Sequence, residues 1–191
     1  MKRLKGAEAV VEIKEDKVIK TRETKKYRHA ELDEKIRTER TEKEKRLIDD
    51  ALKHGVKVPK AEKTGKNVLE LEKIEGQSLK DLVEESPRLL EELGENLAYL
   101  HKANIIHGDL TTSNCLVSDS TYLIDFGLAF RSERFEDKAV DIHLLKQVLN
   151  SSHPEAAKEA WKSFLEGYSN YEESDRVLKQ LEEVESRGRY K

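Results

Sequence analysis

Short apolar runs separated by turn residues fill the first third of the chain, a pattern typical of β-strands. Between the third and fourth runs, a segment from residue 31 to about residue 54 has helical periodicity. Its apolar residues are sparse at first and cluster at its end. The strands are predicted over residues 2–5, 9–14, 18–21, 60–63 and 68–73. This part of the chain is therefore predicted to be a five-stranded sheet with one main helix.

Helical spacing dominates the rest of the chain. Leucines at positions 89, 90, 93, 97 and 100 give an apolar face to a helix that begins at Ser86 and Pro87 and ends near Lys102. Ser78 is placed to cap a short helix, and residues 152–155 form a capping box before a later one. Further helices are predicted over residues 78–85, 137–150, 153–167 and 172–186.

One polar stretch, residues 107–127, interrupts the apolar patterns. It reads HGDLTTSNCLV, a turn, and YLIDFG. Two apolar runs, 115–117 and 122–124, predict a hairpin that brings Asn114 close to Asp125. Amide and carboxylate oxygens at one end of a hairpin suit Mg²⁺, which prefers oxygen ligands, and Asp109 is placed to orient an attacking hydroxyl or water. The three side chains are the minimal set for phosphoryl transfer from a nucleotide.

The first strands carry weaker signals for a nucleotide. Small residues between positions 6 and 9 would let the backbone approach a phosphate, although any hairpin turn can have this composition. Lys20 ends the run Lys-Val-Ile-Lys on the third predicted strand, within reach of nucleotide phosphates, although a surface lysine is the commoner explanation. Glu42 and Glu44 both lie where the helix can offer Lys20 a carboxylate.

Composition and charge narrow the class of protein. Of the 191 residues, 39% are charged and 36% are hydrophobic, and the net charge of −3 gives no overall attraction to nucleic acid. The single cysteine, Cys115, excludes a disulfide framework and fits a reducing compartment. There is no signal peptide and no apolar run of about 18 residues. We therefore expect a soluble cytoplasmic protein with no membrane segment.

Other motifs are missing from the chain. The six histidines show no metal-ligand spacing, which argues against a zinc site. His107 is instead expected to pack or hydrogen-bond beneath the polar stretch. The chain has neither a P-loop nor a Gly-x-Ser-x-Gly elbow, so P-loop nucleotidases and serine hydrolases are excluded.

The sheet with Lys20, the helix with Glu44, and the His-Gly-Asp and Asp-Phe-Gly motifs together resemble the protein kinase fold. The His-Gly-Asp variant is similar to atypical kinases and aminoglycoside phosphotransferases. Further motifs resemble the PRPK family, the small kinase and ATPase subunit of the KEOPS complex. They are GAEA at 6–9, KYR at 26–28, LD at 32–33, RTxxE at 40–44, GVxVP at 55–59, GDLTTSN at 108–114, EDKAVD at 136–141 and the Arg-Gly-Arg tail at 187–189.

The resemblance implies an α+β fold of the small bilobal kinase type. Residues 1–73 would form an N-lobe with a five-stranded antiparallel sheet and one main helix. Residues 74–191 would form a reduced, mostly helical C-lobe without an activation segment. The resemblance also implies ATP and Mg²⁺ as cofactors. The implied activity is that of an atypical serine/threonine kinase or ATPase that serves threonylcarbamoyladenosine (t6A) modification of tRNA at position 37.

The same resemblance implies a role for each site residue. Asp109 is the expected catalytic aspartate, Asn114 and Asp125 are the expected metal ligands, and Asp141 is expected to brace the catalytic loop. The expected nucleotide-binding residues are Gly6, Ala7, Glu8 and Ala9 in place of a glycine-rich loop, Lys20 paired with Glu44 at the phosphates, and Leu71, Glu72 and Ile74 as the adenine hinge.

The chain departs from ordinary kinases at several points. It has no Gly-x-Gly-x-x-Gly motif and no room for an activation loop, and Thr111 stands where ordinary kinases carry a catalytic-loop lysine. Loss of that positive charge removes stabilisation of the transferring phosphoryl group. These departures favour ATP hydrolysis or autophosphorylation, slow without a partner, over signalling-type kinase activity.

The resemblance also implies partners. They are the sugar-kinase-like catalytic subunit of KEOPS, a small regulatory subunit, and tRNA through the basic tail, Arg187, Arg189 and Lys191. The exposed half of the helix over residues 31–54 and the basic run 20–28 are candidate contact surfaces. Two rival hypotheses stay open. One is a nucleotide-responsive regulatory module that needs no phosphotransfer, and the other is a small-molecule phosphotransferase, against which the small C-terminal part counts.

Overall fold

A computed structural model describes residues 2–6, 8–25 and 27–188. Its N-terminal part contains the five predicted strands and one long helix, α1, Ala30–Lys53. The strands are β1 (Lys2–Lys5), β2 (Val10–Ile13), β3 (Lys17–Thr21), β4 (Ala61–Gly65) and β5 (Val68–Glu72). They form one antiparallel sheet in the order β1-β2-β3-β5-β4. The predicted α+β arrangement is confirmed.

The rest of the chain is mostly helical, with short strands between the helices. The helices are α2 (Leu79–Leu82), α3 (Leu89–Lys102), α4 (Phe135–Ser152), α5 (Ala157–Tyr168) and α6 (Ser174–Gly188). The strands are β6 (Gln77–Ser78), β7 (Ile105–Ile106), β8 (Cys115–Val117), β9 (Thr121–Leu123) and β10 (Phe130–Arg131). Strands β8 and β9 form the predicted hairpin, which pairs with β6, while β7 pairs with β10.

None of the helices in the described ranges combines the length and the apolar character that crossing a membrane requires.

The leucine face of α3 lies at the centre of the helical core, as its spacing predicts. Leu90, Leu93 and Leu97 are completely buried in the cluster that the other helices also enter. A buried polar residue of α3, Asn96, joins this core to the segment between α1 and β4. Its side-chain Oδ1 accepts the backbone N–H of Lys57 at 2.6 Å, and its Nδ2 donates to the backbone carbonyl of Lys57 at 3.0 Å. The helical part therefore also fixes the chain that leaves α1.

Residues 73–76 connect β5 to β6 and so link the sheet to the helical part. The predicted lobe boundary, between residues 73 and 74, falls in this connection, and the division into lobes at that point stays a prediction.

The predicted capping box is wrong, whereas the predicted N-cap position of Ser78 is confirmed. Ser152 is the last residue of α4, so the box over residues 152–155 does not start a helix, and α5 begins at Ala157 instead. The buried His153 ring, bonded to the Thr112 hydroxyl at 3.1 Å, holds this segment in place of a cap. Ser78 does occupy the N-cap position of α2, but its side chain makes no capping hydrogen bond.

The start of α3 also differs from the prediction. The helix begins at Leu89, two residues after Pro87, because residues 86–90 first form tighter turns. The N–H of Leu89 donates to Ser86 and the N–H of Leu90 donates to Pro87, each across three residues rather than four.

The contact between α3 and α5 depends on glycine, and Gly94→Ala tests this. A Cβ at position 94 would lie 2.2 Å from the Phe164 carbonyl oxygen and 2.7 Å from the Tyr168 nitrogen. Alanine normally stabilises a helix by about 1 kcal/mol relative to glycine. We expect Gly94→Ala instead to lower the free energy of unfolding by roughly 1–3 kcal/mol, because the helices must separate. Urea denaturation measures the change.

Gly65→Ala is the matched control, because an added Cβ there meets its nearest neighbour at 3.4 Å. It should cost no more than about 1 kcal/mol. A Gly94→Ala protein at least as stable as the wild type would show that the helices do not need the glycine.

Candidate active site

A cavity of about 720 Å³ lies between the sheet and the helical part. One wall is the apolar face of the sheet, and the opposite wall comes from the β8–β9 hairpin. The apolar side chains that line it include Val11, Ile13, Val18, Leu71, Leu116 and Ile124. The polar side chains include Lys20, Glu44, Asn114 and Asp125. An apolar slot with convergent charged groups suits a flat ring that carries an anionic chain.

Lys20 lies at the centre of the charged groups. It is held on β3 opposite Leu69 of β5 and is buried. Its Nζ lies 2.6 Å from Glu44 Oε1 and 2.7 Å from Asp125 Oδ1. Glu42, the other carboxylate considered on α1, pairs with Lys63 at 2.7 Å instead. The structure therefore pairs Lys20 with Glu44, and it brings Asp125 to the same ammonium group.

Asp125 adopts a left-handed backbone conformation, with φ of 62°. This uncommon conformation accompanies a side chain that reaches both Lys20 and the Gly127 N–H, which donates to Oδ1 at 3.2 Å. Partial burial raises the pKa of the Asp125 carboxyl, but the charge and hydrogen bond of Lys20, with the Gly127 N–H, lower it further, so the net pKa is below its usual value. Asp125 is therefore a carboxylate at neutral pH.

Asn114 lies beside the catalytic aspartate candidate. Its Nδ2 donates to the Asp109 carbonyl at 2.8 Å and to Asp109 Oδ2 at 2.9 Å. The backbone carbonyl of Asn114 accepts the N–H of Ile124 at 2.9 Å. This bond places Asn114 next to the end of the strand that leads to Asp125. Asp109 does not itself line the cavity, but Asn114 does. The hairpin therefore brings the three predicted polar residues together.

The donor set fits a hard divalent cation. The hydrogen bonds of the Asn114 side chain are made by Nδ2, and those of the Asp125 side chain are made by Oδ1. Among the described residues, no donor bonds to Asn114 Oδ1 or Asp125 Oδ2, so both oxygens are available to a ligand. Both residues line the cavity, and amide and carboxylate oxygens suit Mg²⁺. The described part of the chain has no cluster of three or more His, Cys, Asp or Glu residues that would hold a metal by itself. Water and ligand oxygens would have to complete the shell.

The backbone before Asp109 is fixed from below. Asp141 of α4, which is buried, accepts the N–H of His107 at 2.6 Å on one oxygen and the N–H of Gly108 at 2.8 Å on the other. The His107 ring donates to the Ile124 carbonyl at 3.0 Å and accepts the Asp109 N–H at 3.3 Å. The predicted contacts of Asp141 and His107 with this loop are therefore present.

Sequence reasoning missed the two residues behind Asp141. His101 Nε2 lies 3.4 Å from Asp141 Oδ2, and its Nδ1 lies 2.8 Å from the Tyr168 hydroxyl. Burial lowers the pKa of His101, and the nearby Asp141 offsets only part of this effect. A signal did exist, because position 101 continues the buried series 93 and 97 at helical spacing. A polar residue on that face must find a buried partner.

The expected hinge residues Leu71, Glu72 and Ile74 all line the cavity. The Glu72 N–H already donates to the Lys60 carbonyl at 2.9 Å, so only its carbonyl is left for a ligand. Within the described ranges, the Ile74 N–H has no acceptor.

The turn between β1 and β2 and the tail are placed differently. Gly6, Glu8 and Ala9 do not line the cavity. The Gly6 N–H closes the turn onto the Ala9 carbonyl at 2.9 Å, and Glu8 forms an ion pair with Arg40 of α1. Ala7 lies outside the described residues, and the phosphate-binding role of this turn stays a prediction. In the tail, Arg187 pairs with Glu136 at 2.9 Å, while Arg189 and Lys191 lie outside the described residues.

Comparison with protein families gives a match to the RIO domain over residues 2–146. A protein of Methanospirillum hungatei named "Probable bifunctional tRNA threonylcarbamoyladenosine biosynthesis protein" is 45% identical over 190 residues. A protein of the same name from Methanococcus vannielii is 42% identical over 194 residues. Both matches cover 97% of this chain but only 36% and 35% of those proteins. The chain therefore spans about a third of the length of the curated relatives it matches.

Solved structures confirm the fold. A Rio2 kinase from Chaetomium thermophilum, in an ADP/Mg²⁺-phosphoaspartate complex, superimposes with a TM-score of 0.66 at 14% identity and covers 100% of this chain and 71% of that one. WaaP in complex with acyl carrier protein gives a TM-score of 0.64 at 15% identity, with 97% of this chain and 88% of that one covered. At these identities the likeness shows a kinase-like architecture.

The burial of His101 predicts how the free energy of unfolding depends on pH. Its lowered pKa keeps the folded protein from taking a proton that the unfolded chain binds below a pH of about 6.5. Stability should therefore be present above that pH and fall as the pH falls towards the folded pKa, by up to about 1.4 kcal/mol per pH unit. We expect the stability advantage of wild type over His101→Gln to shrink by roughly 1 kcal/mol between pH 7.5 and pH 5.5, measured by urea denaturation.

His29→Gln is the matched control, because His29 is exposed. The difference in the free energy of unfolding between wild type and this variant should be the same at both pH values. A stability difference between wild type and His101→Gln that does not change with pH would contradict the burial account.

Proposed function

Because the chain belongs to the RIO domain family, we propose that it is an atypical serine/threonine kinase and Mg²⁺-dependent ATPase. We further propose that it acts as a KEOPS subunit in t6A modification of tRNA at position 37. One observation carries the proposal. Lys20, Glu44 and Asp125 form a connected charge cluster at the cavity, and the linked pair Asp109 and Asn114 lies beside it. This set supports binding and transfer of a nucleotide phosphoryl group.

The cavity has an apolar end and a charged end, and together they support ATP as the ligand. The purine would lie in the apolar slot, where the Glu72 carbonyl can accept and the Ile74 N–H can donate a hydrogen bond. The phosphates would lie at the Lys20 ammonium. One structure of the same fold, the Rio2 kinase, was obtained with ADP and Mg²⁺. When bound, Mg²⁺ would neutralise charge on the phosphates and be held by Asn114 Oδ1 and Asp125 Oδ2.

Asp109, Asn114 and Asp141 would have separate roles in transfer of the phosphoryl group. Asp109 accepts the proton of the attacking hydroxyl or water. The oxygen of that hydroxyl or water forms a bond to the γ-phosphorus, while the bond between the γ-phosphorus and the β,γ-bridging oxygen breaks and ADP leaves. Asn114 orients the Asp109 carboxylate through its Nδ2. Asp141 holds the backbone of this loop, so the carboxylate is positioned before the substrate arrives.

The acceptor in this proposal is water or the protein itself. Thr111 offers no positive charge to the transferring group, which slows the reaction. Only residues 128–134 separate the Asp-Phe-Gly segment from α4, so the described chain has no activation segment to hold a peptide substrate. Slow hydrolysis that a partner accelerates agrees with both features.

The relatives support the partners that we propose. Their name contains the word "bifunctional", and about two thirds of their length lies outside the match. We therefore propose a sugar-kinase-like catalytic partner and a small regulatory subunit. A tRNA contact through the tail would rest on Arg189 and Lys191, because Arg187 is engaged with Glu136.

Labelled ATP with Mg²⁺ tests the activity, with free phosphate and protein-bound label followed separately. We expect Asp109→Asn and Asp125→Asn each to lower phosphate release by about 10²–10⁴-fold, because one removes the proton acceptor and the other removes a metal ligand. The matched control is Asp119→Asn, a change in the exposed hairpin turn that should leave the rate unaltered.

The same variants separate the enzyme from a regulatory module. The enzyme hypothesis predicts that t6A formation by the assembled complex fails with Asp109→Asn. Full modification with this variant, together with loss of modification when the chain is omitted, would support the regulatory module and contradict an essential phosphoryl transfer.

A further inference from the structure

A second buried cation, Arg22, lies beside Lys20 and has no part in the mechanism above. Arg22 follows the last residue of β3 and is only 4% exposed. Its Nη2 lies 2.5 Å from Glu44 Oε2, while Lys20 occupies Glu44 Oε1 at 2.6 Å. Each oxygen of the buried Glu44 carboxylate therefore has its own cation.

The backbone of Arg22 is held on both sides. Its N–H donates to the Asn67 carbonyl at 3.0 Å, and its carbonyl accepts Nη1 of Arg37 at 3.3 Å. Arg37 is in turn fixed by Asp33, a completely buried carboxylate of α1, at 2.6 Å. These bonds place the guanidinium between the sheet and α1, where it makes the second contact to Glu44.

The charges of the cluster balance only when Arg22 is counted. Lys20 alone faces two carboxylates, Glu44 and Asp125, which would leave the cluster with a net negative charge. Arg22 restores neutrality through its pair with Glu44. This matters for a polyphosphate ligand, because its charges would otherwise meet a negative site in a partly buried environment.

Both cations also face the same space. An atom added to the Cα of Gly127 would lie 3.3 Å from Lys20 Nζ and 3.8 Å from Arg22 Nη2. The loop that ends at Asp125 and Gly127 therefore approaches both groups, in a site where Thr111 supplies no positive charge.

We propose that Arg22 is a positioning residue for the phosphate chain of the nucleotide. By holding Glu44 Oε2, Arg22 fixes the carboxylate that orients Lys20, and it keeps Lys20 from having to neutralise two carboxylates alone. The inference rests on the proposed function, because it assumes a nucleoside polyphosphate in the cavity. It assigns Arg22 to the phosphates and gives it no role at the base.

Calorimetric titration with two probes tests this assignment. The probes are the Mg²⁺ complex of adenylyl imidodiphosphate, a non-hydrolysable ATP analogue, and adenosine, which lacks phosphates. We expect Arg22→Met to weaken binding of the analogue about tenfold, as for loss of a charged hydrogen bond. Adenosine binding should change less than about twofold. Arg22→Lys keeps the charge and should restore part of the loss.

Arg46→Met is the matched control, because Arg46 is an exposed arginine on the same helix as Glu44 and should bind both probes as the wild type does. Thermal unfolding of each variant shows that the titrations use folded protein. A purely structural role for Arg22 predicts equal weakening for the two probes, and that result would overturn the proposal. So would unchanged binding of the analogue by Arg22→Met.

The failure of the two proposals can be told apart. If the wild type binds neither probe, the nucleotide function fails and the role of Arg22 falls with it. If the wild type binds both probes but Arg22→Met does not discriminate between them, only the role of Arg22 is rejected.

Discussion

A buried carboxylate, Glu44, is the constraint on which the candidate site depends. Burial of a carboxylate that is only 2% exposed is costly unless cations compensate for the lost hydration, and here Lys20 and Arg22 each bind one oxygen. Because both cations come from the strand side and Glu44 comes from α1, the pairs fix the helix against the sheet. Loss of one partner of such a buried pair typically costs roughly 3–5 kcal/mol. The stability of the N-terminal part and the position of Lys20 are therefore coupled.

The helical part contributes its own fixed frame. Close packing of α3 on α5 places His101 and Tyr168 behind Asp141, and Asp141 in turn holds the loop that carries Asp109. The two parts meet where Lys20 binds Asp125. Binding and transfer of a phosphoryl group would thus use side chains from both parts, each positioned by buried contacts. A small displacement of one part relative to the other would therefore be expected to slow the transfer.

Much of this arrangement could be predicted from the sequence, because the strands, the leucine face of α3 and the motif spacing are local patterns. The pairing of Lys20 with Glu44 was predicted from the resemblance. The roles of Arg22 and His101 were not, since both depend on burial. Arg22 is one of five basic residues among positions 20–28, and no local pattern says which of them is buried. The capping box at residues 152–155 failed for a similar reason, because a tertiary contact of His153 replaced the local signal.

In the proposed function, Asp125 is held by Lys20 on one oxygen and would offer its other oxygen to the Mg²⁺ of a bound nucleotide. The most direct measurement is the affinity for ATP with Mg²⁺ and with a chelator, in the wild type, Asp125→Asn and the control Asp119→Asn. We expect Mg²⁺ to strengthen ATP binding by about tenfold or more, about 1.4 kcal/mol, in the wild type and the control. In Asp125→Asn this gain should nearly vanish, while metal-free binding is retained. An undiminished effect of Mg²⁺ in Asp125→Asn would contradict the assignment of the metal site.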